Sequence, residues 1–171
     1  MGGAKQKGTT EDLTPDYLII GLGSEHRRDD RCGLDVVRGL RGRVDRSVRL
    51  LEGPADATAL LDSWEHVDRV IVVDAVRSGG PPGTVFRIEV DGELPSPLGA
   101  ISTHGLSLAD AVELGRSLGR MPRRLTIYGI EVGDLALGEE LSPAVRAAVG
   151  HVRGQLEDEL RSSLAASHPG G

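Results

Sequence analysis

The segment Arg69–Val76, which reads Arg-Val-Ile-Val-Val-Asp-Ala-Val, constrains the fold of this chain more than any other part of the sequence. A short uninterrupted run of β-branched residues is typical of a strand that is covered on both faces, as in a parallel sheet. A second apolar run begins at Tyr17 and ends in glycines at positions 21 and 23. Two buried strands of this kind require helices on both sides of the sheet.

Strands and helices alternate along the rest of the chain. Because right-handed crossovers join successive parallel strands, the alternation predicts a three-layer α/β/α sandwich with a mainly parallel, twisted sheet of about five strands. Strands are expected at 17–23, 48–52, 69–76, 84–90 and 125–130, and helices at 30–41, at 57–64, from a capping box at Ser107 and from Ser142-Pro143 onward. The period of two in 84–90 indicates a strand with one covered face near an edge of the sheet.

The length of 171 residues fits one domain. The segment 1–16 is polar, and the segment 162–171 ends in Ser-His-Pro-Gly-Gly. We expect both to be disordered tails around a single α/β domain at 17–161.

Composition excludes several classes of protein. A net charge of −6 and an aromatic content of 2% argue against a nucleic-acid partner. No apolar run approaches the roughly 20 residues of a membrane span, and the first sixteen residues lack the apolar stretch of a secretory signal. The single cysteine, Cys32, leaves no disulfide framework. We therefore expect a soluble cytoplasmic protein, and a monomer because no uncovered apolar stripe is evident.

Polar residues follow several of the predicted strands, at the edge where open α/β sheets bind ligands. Asp29 and Asp30 open the helix after the first strand, Asp74 ends the third, and His104 follows the fourth. Asp30, Asp74 and His104 together would suit a divalent cation such as Ni²⁺ or Zn²⁺ with coordination positions left open. Each also has a structural interpretation: either aspartate at the helix start could cap it, Asp74 could cap a loop, and His104 could be solvated.

Two other chemistries have weaker support in the sequence. The pair Gly21-x-Gly23, with Glu52 as a ribose acid, suggests dinucleotide binding, but the third glycine of that fingerprint is replaced by His26. Acids at the helix start would also repel a pyrophosphate. A nucleophilic Cys32 near His26 is possible, although a small buried apolar role fits Cys32 better.

Four motifs in order along the chain resemble those of the hydrogenase maturation protease family, the endopeptidases that trim the large subunit of nickel–iron hydrogenases. They read Gly21-Leu-Gly23-Ser-Glu-His-Arg-Arg-Asp29-Asp30-Arg-Cys-Gly33; Asp74-Ala75 with Pro82-Gly83-Thr84; Ser102-Thr103-His104; and Gly129-Ile130-Glu131 with Leu141-Ser142-Pro143. The resemblance extends from Tyr17 to about Leu160.

By position, the metal-contacting residues of that family correspond to Asp30, Asp74 and His104. The resemblance implies a metal-dependent endopeptidase that removes the C-terminal extension of a hydrogenase large-subunit precursor after nickel insertion. The nickel would be supplied by the precursor, and no nucleotide would be needed. Two alternatives stay open at this point: a non-catalytic sensor or chaperone of nickel loading on the same fold, and a different small hydrolase.

The chain departs from the family pattern at three positions. Ser24 stands where asparagine is usual, Arg31 where many members have glycine, and Val132 where proline is common. An arginine beside the expected metal ligands should weaken metal affinity or alter the choice of substrate. The three ligand positions themselves are intact.

Overall fold

The computed structural model describes residues 17–53, 56–90 and 105–167. In this part of the chain, five strands lie between two layers of helices. The strands are β1 (Tyr17–Gly21), β2 (Val48–Glu52), β3 (Arg69–Val76), β4 (Val85–Glu89) and β5 (Arg124–Glu131). The helices are α1 (Cys32–Leu40), α2 (Ala57–Ser63), α3 (Gly105–Ser117) and α4 (Pro143–Ser167), with one turn of 3₁₀ helix at Arg28–Arg31 before α1.

The sheet has the strand order β2-β1-β3-β5-β4. All neighbouring pairs are parallel except β4 with β5, which is antiparallel. The predicted α/β/α architecture is confirmed, and so is the edge position of β4. Its alternating pattern leaves Arg87 and Glu89 exposed, whereas β3 in the centre is buried along nearly its whole length.

Two hydrophobic cores form, one on each face of the sheet. Helices α1 and α4 pack with Ile19, Ile71 and Tyr128 on one face. Helices α2 and α3 pack with the alternate strand residues, such as Ile20 and Val72, on the other. The division follows from the pleat, because successive side chains of a strand point to opposite faces.

The strand order reverses between β1 and β3, and this creates the crevice at which open α/β sheets bind ligands. From β1 the chain moves outward to β2, whereas β3 has β5 on its other side. Gly21 is in register with Val73. The next backbone N–H, of Leu22, donates to the carbonyl of Val73 at 2.8 Å. Asp74 therefore lies at the mouth of this crevice.

Three sequence predictions need correction or stay open. Helix α3 begins at Gly105, so Ser107 lies inside the helix and not at its N-cap. Helix α4 continues to Ser167, so residues 162–167, which we expected to belong to a tail, are helical; no proline or glycine follows Gly154 until Pro169. The predicted tail at 1–16 lies outside the described residues. No helix in the described ranges combines the length and apolarity needed to cross a membrane.

Candidate active site at the carboxyl edge of the sheet

Glycines bring the start of helix α1 into direct contact with the ends of β1 and β3. A Cβ atom at Gly33 would overlap the carbonyl oxygens of Leu22 and Val73, and a Cβ at Gly21 would overlap the carbonyl of Gly33. Gly23 has φ +154°, and a side chain there would collide with the carbonyl of Asp30. The glycine spacing thus serves close backbone packing, which sets Asp30 at the same crevice as Asp74.

Asp30 and Asp74 are both buried, at 2% and 1% relative exposure. Asp74 Oδ1 accepts a hydrogen bond from the N–H of Ala75 at 2.8 Å. Both carboxylates act on Cys32: burial first, then the charges of Asp74 and Asp30, raise the pKa of this thiol above its ordinary value of 9.0. Two of the three predicted ligands are thus buried near the same thiol.

The third predicted ligand, His104, lies outside the described residues. Within the described residues, no group of three or more His, Cys, Asp or Glu side chains is arranged to hold a metal ion. The three-residue ligand set of Asp30, Asp74 and His104 therefore stays a prediction.

The neighbouring Asp29 has a different role, although it is just as deeply buried, at 0% exposure. Its carboxylate accepts hydrogen bonds from the backbone N–H of Asp134 at 2.9 Å and of Ser142 at 2.7 Å. The hydroxyl of Ser142 and the N–H of Gly133 also donate to it, at 3.0 and 3.2 Å. Asp29 thus fastens the first loop of the domain to the loop that follows β5. It does not cap its own helix.

Glu131 is a second buried carboxylate with a structural task. At the end of β5 it accepts hydrogen bonds from the N–H groups of Ser78 and Gly79, at 2.9 Å each, and from the Ser78 hydroxyl at 2.7 Å. It thereby holds the loop after β3. Glu131 is part of the fourth motif, but the sequence did not indicate this role, since its partners are more than 50 residues away.

The loops after β1 and after β5 form a joint rim around the crevice. The N–H of Arg28 donates to the carbonyl of Gly138 at 2.9 Å, and the N–H of Gly138 donates to the backbone carbonyl of His26 at 3.0 Å. The Arg28 guanidinium pairs with Asp134 at 2.7 Å. Leu137 stands on this rim and is 82% exposed.

The structure shows how Arg31, which stands where many family members have glycine, is accommodated. Its guanidinium forms a bidentate pair with Asp35 through Nε and Nη2, with distances of 3.1–3.2 Å, and donates to the carbonyl of Glu139 at 2.8 Å. The positive charge is thus balanced by Asp35, one turn further along α1. This neutralisation offers a physical reason why an arginine can follow Asp30 directly.

The two weaker chemistries gain no support from the geometry. Cys32 is completely buried, and its raised pKa keeps the thiol protonated, which is unfavourable for a nucleophile. Glu52 is paired with Arg38 and Arg41. The hydrogen bond from Arg38 is the main reason why the pKa of Glu52 is lowered, although burial opposes this. The expected small apolar role of Cys32 is confirmed.

The fold agrees with the comparisons to known proteins, which define a class of protease. A family model described as hydrogenase maturation protease matches residues 34–159. The chain belongs to this family and is a peptidase.

Two relatives illustrate the similarity in sequence. The chain is 31% identical over 156 residues to the hydrogenase 2 maturation protease of Escherichia coli (strain K12), covering 89% of this chain and 94% of that protein. It is 34% identical over 154 residues to the hydrogenase expression/formation protein HoxM of Azotobacter vinelandii, covering 88% and 71%.

Solved structures show the same likeness. The hydrogenase maturating endopeptidase HybD from E. coli superposes with a TM-score of 0.76 at 30% identity, covering 86% of this chain and 93% of that one. The [NiFe] hydrogenase maturation protease HybD from Thermococcus kodakarensis gives 0.71 at 28% identity, covering 84% and 98%.

Proposed function

We propose that this protein removes the C-terminal extension from the large-subunit precursor of a nickel–iron hydrogenase, after nickel has been inserted. The observation that carries the proposal is the pair of buried acids, Asp30 and Asp74, at the crevice of a chain that belongs to this protease family. Carboxylate oxygens at such a crevice can act as ligands of a divalent cation. The arriving nickel ion would be such a cation.

In this proposal nickel is part of the substrate, held by the precursor. Carboxylate oxygens of Asp30 and Asp74 and the imidazole of His104 form a donor set that suits a borderline divalent ion. Three ligands from this protein leave coordination positions for groups of the precursor. An ion that must bridge both proteins makes cleavage conditional on metal loading, because an empty precursor cannot complete the site.

The rest of the edge keeps these side chains in place. Asp29 and Glu131 fix the loops on either side through backbone hydrogen bonds. Gly33 allows α1 to rest directly on the strand ends. Preorganisation of this kind lowers the cost of aligning a bound peptide with the reacting groups. The Cys32 thiol beneath the acids remains neutral and adds no further negative charge.

The test is cleavage of nickel-loaded and nickel-free precursor, followed by intact mass. The wild-type protein should shorten the loaded precursor and leave the empty one intact. His104→Ala should abolish shortening. The matched control is His151→Ala, because His151 is exposed on α4; this variant should cleave at the wild-type rate.

Two results would contradict separate parts of the proposal. Normal cleavage by His104→Ala would remove His104 from the ligand set. Cleavage of the empty precursor at the same rate would remove the requirement for nickel. The predicted cytoplasmic location, the monomeric state and the lack of a nucleotide cofactor remain predictions.

A further inference from the structure

A cavity lies at the opposite edge of the sheet from Asp74, at the amino ends of the parallel strands. Its volume is about 240 Å³. That is below the roughly 300–1,000 Å³ typical of pockets for drug-sized ligands, so it suits a small ligand. The ionisable side chains that line it belong to Tyr17, Arg69, Arg87, Glu89, Arg124 and Glu159.

The three arginines come from three adjacent strands and share one face. Arg69 on β3 is the register partner of Arg124 on β5. Arg87 on β4 is opposite Tyr128, which lies on the same face of β5 as Arg124. Register partners have their side chains on the same side of a sheet. The three cationic groups therefore converge on the α1–α4 side at one edge.

The acids of the cavity do not balance all three arginines. Glu89 pairs with Arg87 at 2.7 Å, and Glu159 lies 3.7 Å from the same guanidinium. Neither Arg69 nor Arg124 forms an ion pair with a carboxylate of the described residues. Two like charges side by side on neighbouring strands are unfavourable. This juxtaposition is stabilised when an anion lies between them.

Tyrosines orient two of the guanidinium groups. The Arg69 guanidinium lies 5.1 Å from the centre of the Tyr17 ring and donates to its hydroxyl at 3.0 Å. Arg87 stacks on Tyr128 at 5.8 Å and donates to its hydroxyl at 3.1 Å. Held in this way, each planar group loses less freedom when it binds a ligand.

We propose that this cavity binds a phosphate-sized tetrahedral oxyanion, with Arg69 and Arg124 as its main donors. Arginine matches such ions because its fork of N–H groups can donate two parallel hydrogen bonds. The ion could be free phosphate or the phosphoryl group of a small molecule. The proposal does not depend on the proteolytic function, since this cavity and Asp74 lie at opposite edges of the sheet.

The test is a titration of the whole protein with inorganic phosphate at constant ionic strength, followed by amide NMR shifts. Saturable shifts should cluster at the starts of β3 and β5. Arg69→Gln and Arg124→Gln should each weaken binding about tenfold. The matched control, Arg123→Gln, removes the same charge one residue away, from an exposed side chain that lies near Asp68, and should leave affinity within twofold.

Further titrations identify the ligand. Sulfate should compete with phosphate, whereas acetate, which is not tetrahedral, should not. Glycerol phosphate binding more tightly than phosphate would indicate a phosphoryl group on a small molecule, and the reverse order would indicate the free ion. Linear, unsaturable shifts in the wild-type protein would overturn the proposal. So would an equal loss of affinity in Arg123→Gln.

Discussion

The two edges of the sheet carry opposite charge and are built in different ways. At the carboxyl edge four carboxylates, those of Asp29, Asp30, Asp74 and Glu131, are almost completely buried. At the amino edge three arginines stand in a half-open cavity. Two of the four acids accept hydrogen bonds from backbone N–H groups of distant loops, whereas two of the three arginines, Arg69 and Arg87, are supported by aromatic rings.

This difference shows that one sheet can carry two kinds of site, one that depends closely on its surroundings and one that depends on them less. Buried charges require their surroundings to be fixed, because an unmatched charge costs several kcal/mol. Guanidinium groups at an open edge remain hydrated and need little support. Substitutions of the buried acids should therefore strongly lower activity or stability, whereas substitutions of the arginines should change them little.

The largest difference between substitutions at the two edges is expected in the rate of precursor cleavage. Asp74→Asn should lower the rate of precursor cleavage roughly 1,000-fold or more, equivalent to about 4 kcal/mol, because a neutral amide is a poorer ligand for the arriving ion. Arg124→Gln at the other edge should leave the rate within twofold. Rates by mass spectrometry, with circular dichroism to check folding, measure both. Equal losses in the two variants would contradict the separation.

Asp29 should contribute strongly to stability, because it joins two loops through its hydrogen bonds. Asp29→Ala leaves the N–H groups of Asp134 and Ser142 without their acceptor, and should lower the free energy of unfolding by about 3 kcal/mol. Urea denaturation measures the loss. Asp110→Ala, at an exposed position of α3, is the control and should change it by less than about 0.5 kcal/mol. A change below 1 kcal/mol in Asp29→Ala would refute the anchoring role.

High pH should lower the stability of the folded protein through the ionisation of Cys32. The pKa of this thiol is raised by burial and by Asp74 and Asp30, so the folded protein keeps a proton that the unfolded chain releases. Stability is thus unaffected below about pH 8.5 and falls above it, by up to about 1.4 kcal/mol per pH unit.

The fall in stability at high pH should be missing in Cys32→Ala. Unfolding curves of both proteins at pH 8 and pH 10 measure this difference in stability. Cys32→Ser should still process the precursor at nearly the wild-type rate. Complete loss of cleavage in a folded Cys32→Ser protein would restore the cysteine as a candidate nucleophile.

The smallest effect is expected at the basic edge without phosphate. Arg124→Gln removes one of two adjacent like charges, so it should stabilise the protein by about 0.2–1 kcal/mol. Thermal unfolding in chloride buffer at low ionic strength measures the gain, and Arg123→Gln is again the control. A lower melting temperature for Arg124→Gln would show that the two charges do not repel each other appreciably.

Local patterns predicted the sheet well. The limits of β2 and β3 match the structure, and the alternating pattern of β4 identified an edge strand. The start of α3 was misjudged, because a serine three residues before an acid resembles a cap even inside a helix. Such a local motif is only a weak guide to a helix boundary, because tertiary context can override it.

The candidate site was only partly accessible from the sequence. Rules on strand ends selected Asp30 and Asp74, and both are buried at the crevice. The hydrogen-bonding roles of Asp29 and Glu131 could not be predicted from the sequence. The partners of Asp29 are more than 100 residues away, and those of Glu131 are more than 50 residues away. No short-range spacing records such contacts. His104 remains a prediction of the motif alone.

The hydrogen bonds of Asp29 to residues 133–142 also have a consequence for synthesis. Their sequence separations of 104–113 residues mean that the two loops cannot meet until the loop after β5 has left the ribosome. Since the polypeptide emerges at about 5–20 residues per second, the opening motif must wait several seconds for its partner. The acidic edge of the nascent enzyme is therefore completed only after the loop that follows β5 has been translated.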